Sequence, residues 1–165
     1  MVVIYLKRVW RNNMILSKSL TYYVIGYLIV TGIASLHFLF NWKIRGQEGF
    51  DTKLGVQALK ANATQFDSFK STKPFHPIYN LVIFPIVSVW MINQLTTMPS
   101  IMEAVGIGIV WLVYCFISDI IFWIVIPHPW RLNIKELFIT YQPWITLSYL
   151  AIFISPVIGV IYLSY

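Results

Sequence analysis

Residues 101–127 read IMEAVGIGIVWLVYCFISDIIFWIVIP. In that stretch only Glu103 and Asp119 carry charge. A bilayer's hydrocarbon core is about 30 Å thick and needs roughly 20 apolar residues wound as a helix to cross it. The run exceeds that length, and lipid offers no partner to an unpaired peptide group, so it reads as a tilted transmembrane helix. Three further stretches approach the same length, at about 20–42, 78–95 and 144–165. The fold expected is all-α: a polytopic membrane protein forming one domain over residues 1–165, a bundle of four transmembrane helices.

Composition supports this reading. Hydrophobic residues make up 58% of the chain and charged ones 11%, and mean hydropathy is +0.71. Soluble domains carry roughly 25% charged residues. The net charge of +6 is concentrated before residue 19, in 43–73 and in 131–136. Basic groups flanking apolar spans sit among anionic lipid head groups, so membrane lipids are the expected partners and nucleic acid is not. A protein partner or a second copy of the chain is also compatible with so small a bundle.

Aromatic residues mark the expected span ends. Tyr22, Tyr23 and Trp42 flank the first span, and Trp144, Tyr162 and Tyr165 the last, as interfacial rings do. Tyr27, Trp90, Trp111, Tyr114, Trp123 and Tyr149 lie deeper and need polar partners on neighbouring helices, or a boundary with lipid. Pro85 and Pro156 fall inside the second and fourth spans, where each removes a helix hydrogen bond and predicts a kink. The N-terminus does not read as a signal peptide, because Lys7, Arg8 and Arg11 follow its first apolar residues. Val3, Leu6, Trp10 and Met14 recur at helical spacing, which predicts a short helix lying on the membrane over residues 2–18, with a frayed basic tail as the alternative.

Two connections carry structure of their own. Val56, Leu59, Ala63 and Phe66 recur at spacings of three and four, with Asp51 as a suitable N-cap. They predict an amphipathic interfacial helix over about 52–70. Asn62-Ala63-Thr64 within it matches a glycosylation sequon. Asn133 followed by Glu136 predicts a capping box and a short helix ahead of Gln142-Pro143.

Sidedness is read from Lys and Arg. The tail before the first span holds four, the two long connections hold eight, and the C-terminal end none. A raw count makes the long connections cytoplasmic, whereas the first span, whose leader contains no acid, places the N-terminus in the cytoplasm. The expectation adopted is a bacterial cell membrane with a cytoplasmic N-terminus.

The functional reading rests on the unusual polar groups. His37 lies about 7 Å, and Asp119 about 12 Å, from span ends that open toward the long connections, at 1.5 Å per residue. His76 and His128 lie on that side too, in Phe75-His76-Pro77 and Pro127-His128-Pro129. A carboxyl group within a span is costly and demands a partner. His37 is the first expected and Arg131 the second. His37, His76, Asp119 and His128 therefore form the candidate catalytic set for acid–base chemistry. Asn41, Asn80, Arg131 and Gln142 form the candidate ligand-binding set. The bland readings are an Asp–His pair that only locks two helices, histidines that only end helices, and an Arg131 that only meets a lipid phosphate. His76, His128 and Asp119 are suitable metal-ligand types, but their spacing matches no signature, and no metal or other cofactor is expected. The lone Cys115 reads as a core residue and excludes paired-thiol redox chemistry.

No phosphate loop, dinucleotide fingerprint, His-Glu-x-x-His or Gly-x-Ser-x-Gly occurs. The function expected is an accessory subunit, or a binder of a lipid-like ligand in a polar-mouthed pocket. The alternatives are a small enzyme acting on a lipid or isoprenoid substrate, and a small carrier. The carrier lacks ionisable groups in the half of the bundle that contains only Glu103.

Overall fold

Long runs of Leu, Ile, Val and Phe, uninterrupted by turn residues, leave the backbone only its own hydrogen bonds, and the chain winds accordingly. The computed structural model describes residues 2–47, 66–128 and 131–165, with side chains from residue 14 onward. Among the described residues every regular element is helical. Helix α1 spans Val2–Lys43, α2 Asp67–Thr72, α3 His76–Asn93, α4 Ile101–Asp119 and α5 Trp144–Ser164. Four helical segments are long and apolar enough to cross a membrane: Met14–Lys43, Asp67–Asn93, Ile101–Val125 and Trp144–Ser164. Helices α3 and α5 run on through Pro85 and Pro156.

Three boundaries differ from expectation. Residues 2–18 do not form a separate helix, because α1 is continuous over 42 residues. No Gly or Pro lies before Gly26 to interrupt it. The expected interfacial helix, with its sequon, falls largely on residues outside the described ones. Its described end belongs to α2, which passes through a 3-10 turn, Lys73–Phe75, directly into α3. Pro74 and Pro77 allow this because each stands in a first turn, where the missing N–H costs nothing. The second apolar rod therefore begins at Asp67 rather than at residue 78. The third span changes winding: Ile120–Val125 is π-helical, and so is Glu136–Thr140. The Asn133–Glu136 capping box forms as the sequence predicts, with the Asn133 N–H donating to Glu136 Oε2 at 2.8 Å and the Glu136 N–H to Asn133 Oδ1 at 2.9 Å.

Helix α3 packs most extensively on α5, which also lies against α4, while α1 lies against α3 and α4. Close approach is bought by glycine at two places. A Cβ on Gly108 would come closer than 3.0 Å to the Phe153 carbonyl oxygen, and one on Gly159 would meet Ser88 Oγ at 2.5 Å. One core cluster, around Phe84, Met91, Trp111 and Ile152, fills the middle of the bundle. The indole N–H of Trp111 donates to the Ser19 carbonyl at 3.0 Å and ties α4 to α1. A second cluster, of Phe38, Phe69, Leu132, Leu137, Tyr141 and Ile145, closes the end bearing the long connections. The outer faces remain apolar: Leu28, Leu36, Ile86, Met102 and Val125 are each more than 60% exposed. Such a surface suits acyl chains rather than water.

Helix α4 starts on a full capping box. Ser100 Oγ accepts from the Glu103 N–H at 3.2 Å, and Glu103 Oε2 accepts from the Ser100 N–H at 2.8 Å. Replacing Ser100 with alanine is expected to lower unfolding free energy by about 1 kcal/mol, the usual worth of such a cap. Denaturation in mixed micelles, followed by circular dichroism, measures this; an unchanged midpoint would mean that water caps the helix equally well.

Candidate functional site

Asp119 is the last α-helical residue before the π-helical turn, and it is 6% exposed. Its neighbours one turn away, Cys115, Phe116, Phe122 and Trp123, include no charged partner, so its hydroxyl partners arrive from other helices. Tyr27 of α1 donates its phenolic hydrogen to Oδ1 at 2.9 Å. Tyr149 of α5 donates to Oδ2 at 2.9 Å. The Cys115 thiol lies 3.8 Å from the same Oδ2. The Trp123 indole N–H donates to the Tyr27 oxygen at 3.2 Å. The carboxyl group thus joins three helices, with two phenols as its anchors.

The expected partners of Asp119 are corrected by this geometry. His37 sits on α1, where its Nδ1 meets the Tyr79 hydroxyl at 2.5 Å and its ring stands edge-on to Phe75. Arg131 is exposed. His128 Nε2 meets the Phe122 carbonyl at 2.5 Å. That carbonyl belongs to the π-helical turn, and the imidazole N–H donates to it as a helix cap. The Trp123 carbonyl is taken by the Leu132 N–H at 2.7 Å. His128 therefore acts as an end-of-helix residue.

A cavity of about 80 Å³ lies between the two core clusters. It has room for several waters, each needing at least about 10–15 Å³. Its polar wall is formed by Asp119, Tyr27, Tyr149, His76, Asn80 and Ser148, and its apolar wall includes Val30, Leu132, Leu137, Ile145 and Ile152. A second cavity of about 30 Å³ adjoins it. The two share Thr31, Ala34, Phe69, His76 and Trp123. The smaller one also touches Phe38 and Thr72.

His76 is held at the junction of these spaces. The start of α3 places it, and Asn80 one turn later donates its amide hydrogen to the His76 carbonyl at 2.9 Å. The Tyr141 hydroxyl engages His76 Nδ1. Burial pushes the Tyr141 phenol well above its ordinary range, reinforced by Asp119 and Tyr79, so the hydroxyl keeps its hydrogen. Among the described residues, His76 Nε2 is sealed from solvent and has no hydrogen-bond partner, and Ser148 Oγ is in the same condition. Both residues line the larger cavity.

Of the eight candidate residues, the structure brings His76, Asp119 and Asn80 to one cavity. Asn41 is fully buried and ties α1 to α2, its amide donating to Thr72 Oγ1 at 3.2 Å. Gln142 serves its own turn, donating to the Phe138 carbonyl at 3.2 Å and accepting from Thr146 at 2.8 Å. His37, His128 and Arg131 lie outside the cavity wall. Among the described residues, no three His, Cys, Asp or Glu side chains gather as a metal site. Tyr27, Tyr141, Ser148 and Tyr149 were absent from the candidate set. Deep tyrosines in a span are a readable signal, since each phenol needs a partner, and here two find it in the lone acid.

The chain matches no family model, and no match is found among curated proteins or solved structures.

Proposed function

We propose that the chain is a polytopic membrane protein, crossing the bilayer four times, whose interior cavity binds the polar end of an amphiphilic ligand. One observation carries this reading: His76 and Ser148, whose Nε2 and Oγ are buried without a hydrogen-bond partner among the described residues, line the same cavity. A buried polar group left unsatisfied costs about 1–3 kcal/mol. A ligand atom that meets it recovers that cost, which makes the pair a binding determinant. The neighbouring apolar cavity offers space for the first carbons of a chain.

The acid–base alternative is supported by one feature, an imidazole in the cavity wall whose Nδ1 is engaged by a second residue, Tyr141. It is weakened at Asp119, whose two oxygens each accept a phenol. The carrier reading is weakened by packing. Phe84, Met91 and Trp111, all at 0% exposure, fill the core away from the cavity. Glu103 is engaged in its own cap at the far end of α4.

Native mass spectrometry of the full chain, released from mild detergent, tests the binding reading. The wild type is expected to carry one amphiphile per chain, and Ser148→Leu, which fills the cavity, to lose at least about nine-tenths of it, the tenfold loss that corresponds to about 1.4 kcal/mol. A wild type that flies without a small-molecule adduct, or an adduct indifferent to Ser148→Leu, would overturn the reading.

A further inference from the structure

The end of the bundle that bears the long connections is cationic. The last turn of α1 and the turn after it supply Lys43 and Arg45, the rod of α2 and α3 supplies Lys70 and Lys73, and the connection ahead of α5 supplies Arg131 and Lys135. Contacts between elements gather these charges at one end. The Asn41 amide donates to Thr72 Oγ1 at 3.2 Å, which ties the end of α1 to the residue before Lys73. Leu132 and Leu137, close in the chain to Arg131 and Lys135, share a core cluster with Phe38 and Phe69. The acids at this end, among the described residues, are Asp67 and Glu136. Asp67 pairs with Lys70 at 2.8 Å, and Glu136 is held in its cap by the Asn133 N–H. Lys43, Arg45 and Lys73 have no acid partner among the described residues.

Aromatic rings seat these three instead. The Lys43 ammonium lies 3.7 Å from the Trp42 ring centroid, and the Arg45 guanidinium 5.4 Å from that of Phe40. The Lys73 ammonium lies 5.7 Å from the Phe69 centroid and 5.6 Å from that of Tyr141. A ring face attracts a cation through its quadrupole, but it carries no net charge, so the cations stay uncompensated. Exposed apolar side chains are interleaved with them: Ile44 is 72% exposed, and Phe40 and Phe75 are each 43% exposed. Cations mixed with exposed apolar groups at the ends of apolar helices match the level where phosphate overlies acyl chain. An acidic protein would have to oppose the charges and cover Ile44 and Phe75 as well, whereas one lipid supplies both the anion and the chain. Among the residues with described side chains, the opposite end differs. There Lys18 donates to the Gln94 carbonyl, and Glu103 is engaged in its own cap.

We infer that this end of the bundle binds the head-group phosphate of an anionic glycerophospholipid through Lys43, Arg45 and Lys73, in preference to a zwitterionic lipid. A guanidinium meets phosphate oxygens with a fork of donors, and an ammonium meets them as a point charge. A choline head adds a cation that the same three charges repel. The inference rests on the spanning part of the reading above and not on the cavity.

Dioleoylphosphatidylglycerol and dioleoylphosphatidylcholine, which share their acyl chains, provide the test. They are offered in equal amounts to the full chain in mild detergent, and bound lipid is counted by native mass spectrometry. Each basic residue beside an anionic surface is worth about fivefold in affinity. The wild type is therefore expected to prefer phosphatidylglycerol at least about tenfold, and the triple variant Lys43→Gln, Arg45→Gln, Lys73→Gln to lose that preference. The double variant Lys43→Gln, Arg45→Gln changes only exposed residues and decides the matter if the triple variant does not fold. It is expected to lower the preference at least about fivefold. Lys18→Gln at the opposite end and Ser148→Leu in the cavity wall are expected to leave the preference unchanged. Equal binding of the two lipids by the wild type, or a preference that survives the double variant, would overturn the inference. So would a loss in Lys18→Gln as large as in the double variant. A preference abolished by Ser148→Leu alone would overturn it too, placing the lipid in the cavity and leaving the binding reading intact. A chain that stays monodisperse once detergent is removed would overturn the spanning reading with it.

Discussion

Gly108→Ala is expected to be the most damaging single-methyl change in the described structure, lowering stability by about 3 kcal/mol, at the upper end of what overpacking costs. The added Cβ would be closer than 3.0 Å to the Phe153 carbonyl oxygen and 3.2 Å from its carbonyl carbon. Those atoms are backbone and cannot rotate away, so α4 and α5 have to separate. Both helices supply cavity wall, at Cys115 and Asp119 on one and at Ile145, Ser148, Tyr149 and Ile152 on the other. Their separation would therefore loosen the cavity wall as well as the packing. Gly106→Ala is the internal control, because nothing lies within 4 Å of its added carbon. It should leave stability equal or slightly improved, since alanine is the better helix former. Unfolding in mixed micelles measures both. Equal midpoints for the two variants would mean that the α4–α5 contact does not hold the bundle together.

Asp119→Ala carries the second large effect. It leaves the Tyr27 and Tyr149 hydroxyls, both part-buried, without the acceptor they share. Each orphaned donor costs about 1–3 kcal/mol in a water-excluded interior, and hydrogen bonds between membrane helices average about 0.6 kcal/mol, so a total near 2 kcal/mol is expected. The informative companion is the triple variant Asp119→Leu, Tyr27→Phe, Tyr149→Phe. Removing both sides of a hydrogen bond is far less costly than removing one. The triple variant should recover at least half of the loss, and not all of it, because the Trp123 indole N–H loses Tyr27 as its acceptor. If the triple variant is less stable than Asp119→Ala, the network is not what Asp119 contributes.

The helices were legible because spanning segments announce themselves by length and apolarity, and the structure has four such segments. The box at Asn133 was legible for a different reason: two residues three apart satisfy each other without outside help. The same signature stands at Ser100–Glu103, where it could have been read and was not. The partners of Asp119 were harder. Tyr27 is 92 positions away in the chain and Tyr149 is 30. Which faces of α1 and α5 turn inward depends on packing, and helices apolar on every side do not declare a face. His37 was favoured on depth alone, but depth fixes distance along the bundle and not rotation about a helix axis. The convergence of histidines at one end was real for His37 and His76, which share Tyr79 as a ring neighbour. Only His76 reaches the cavity wall, because α3 turns it inward toward Tyr141.

The π-helical turn after Asp119 has a consequence for how this chain can change over time. A π turn contains one more residue than the α turn it replaces, as the bond from Ile126 N–H to the Ile121 carbonyl records. Between Ile120 and Val125 the chain carries a surplus residue. Deleting one of them would let the turn revert to regular α winding, with the residues downstream keeping their facing. The same loss inside the regular run Ile101–Asp119 would instead rotate one part of the helix by about 100° against the other, the angle that one residue subtends in an α-helix. The π turn is thus the place in this helix where the chain can lose a residue and the chamber keep its alignment.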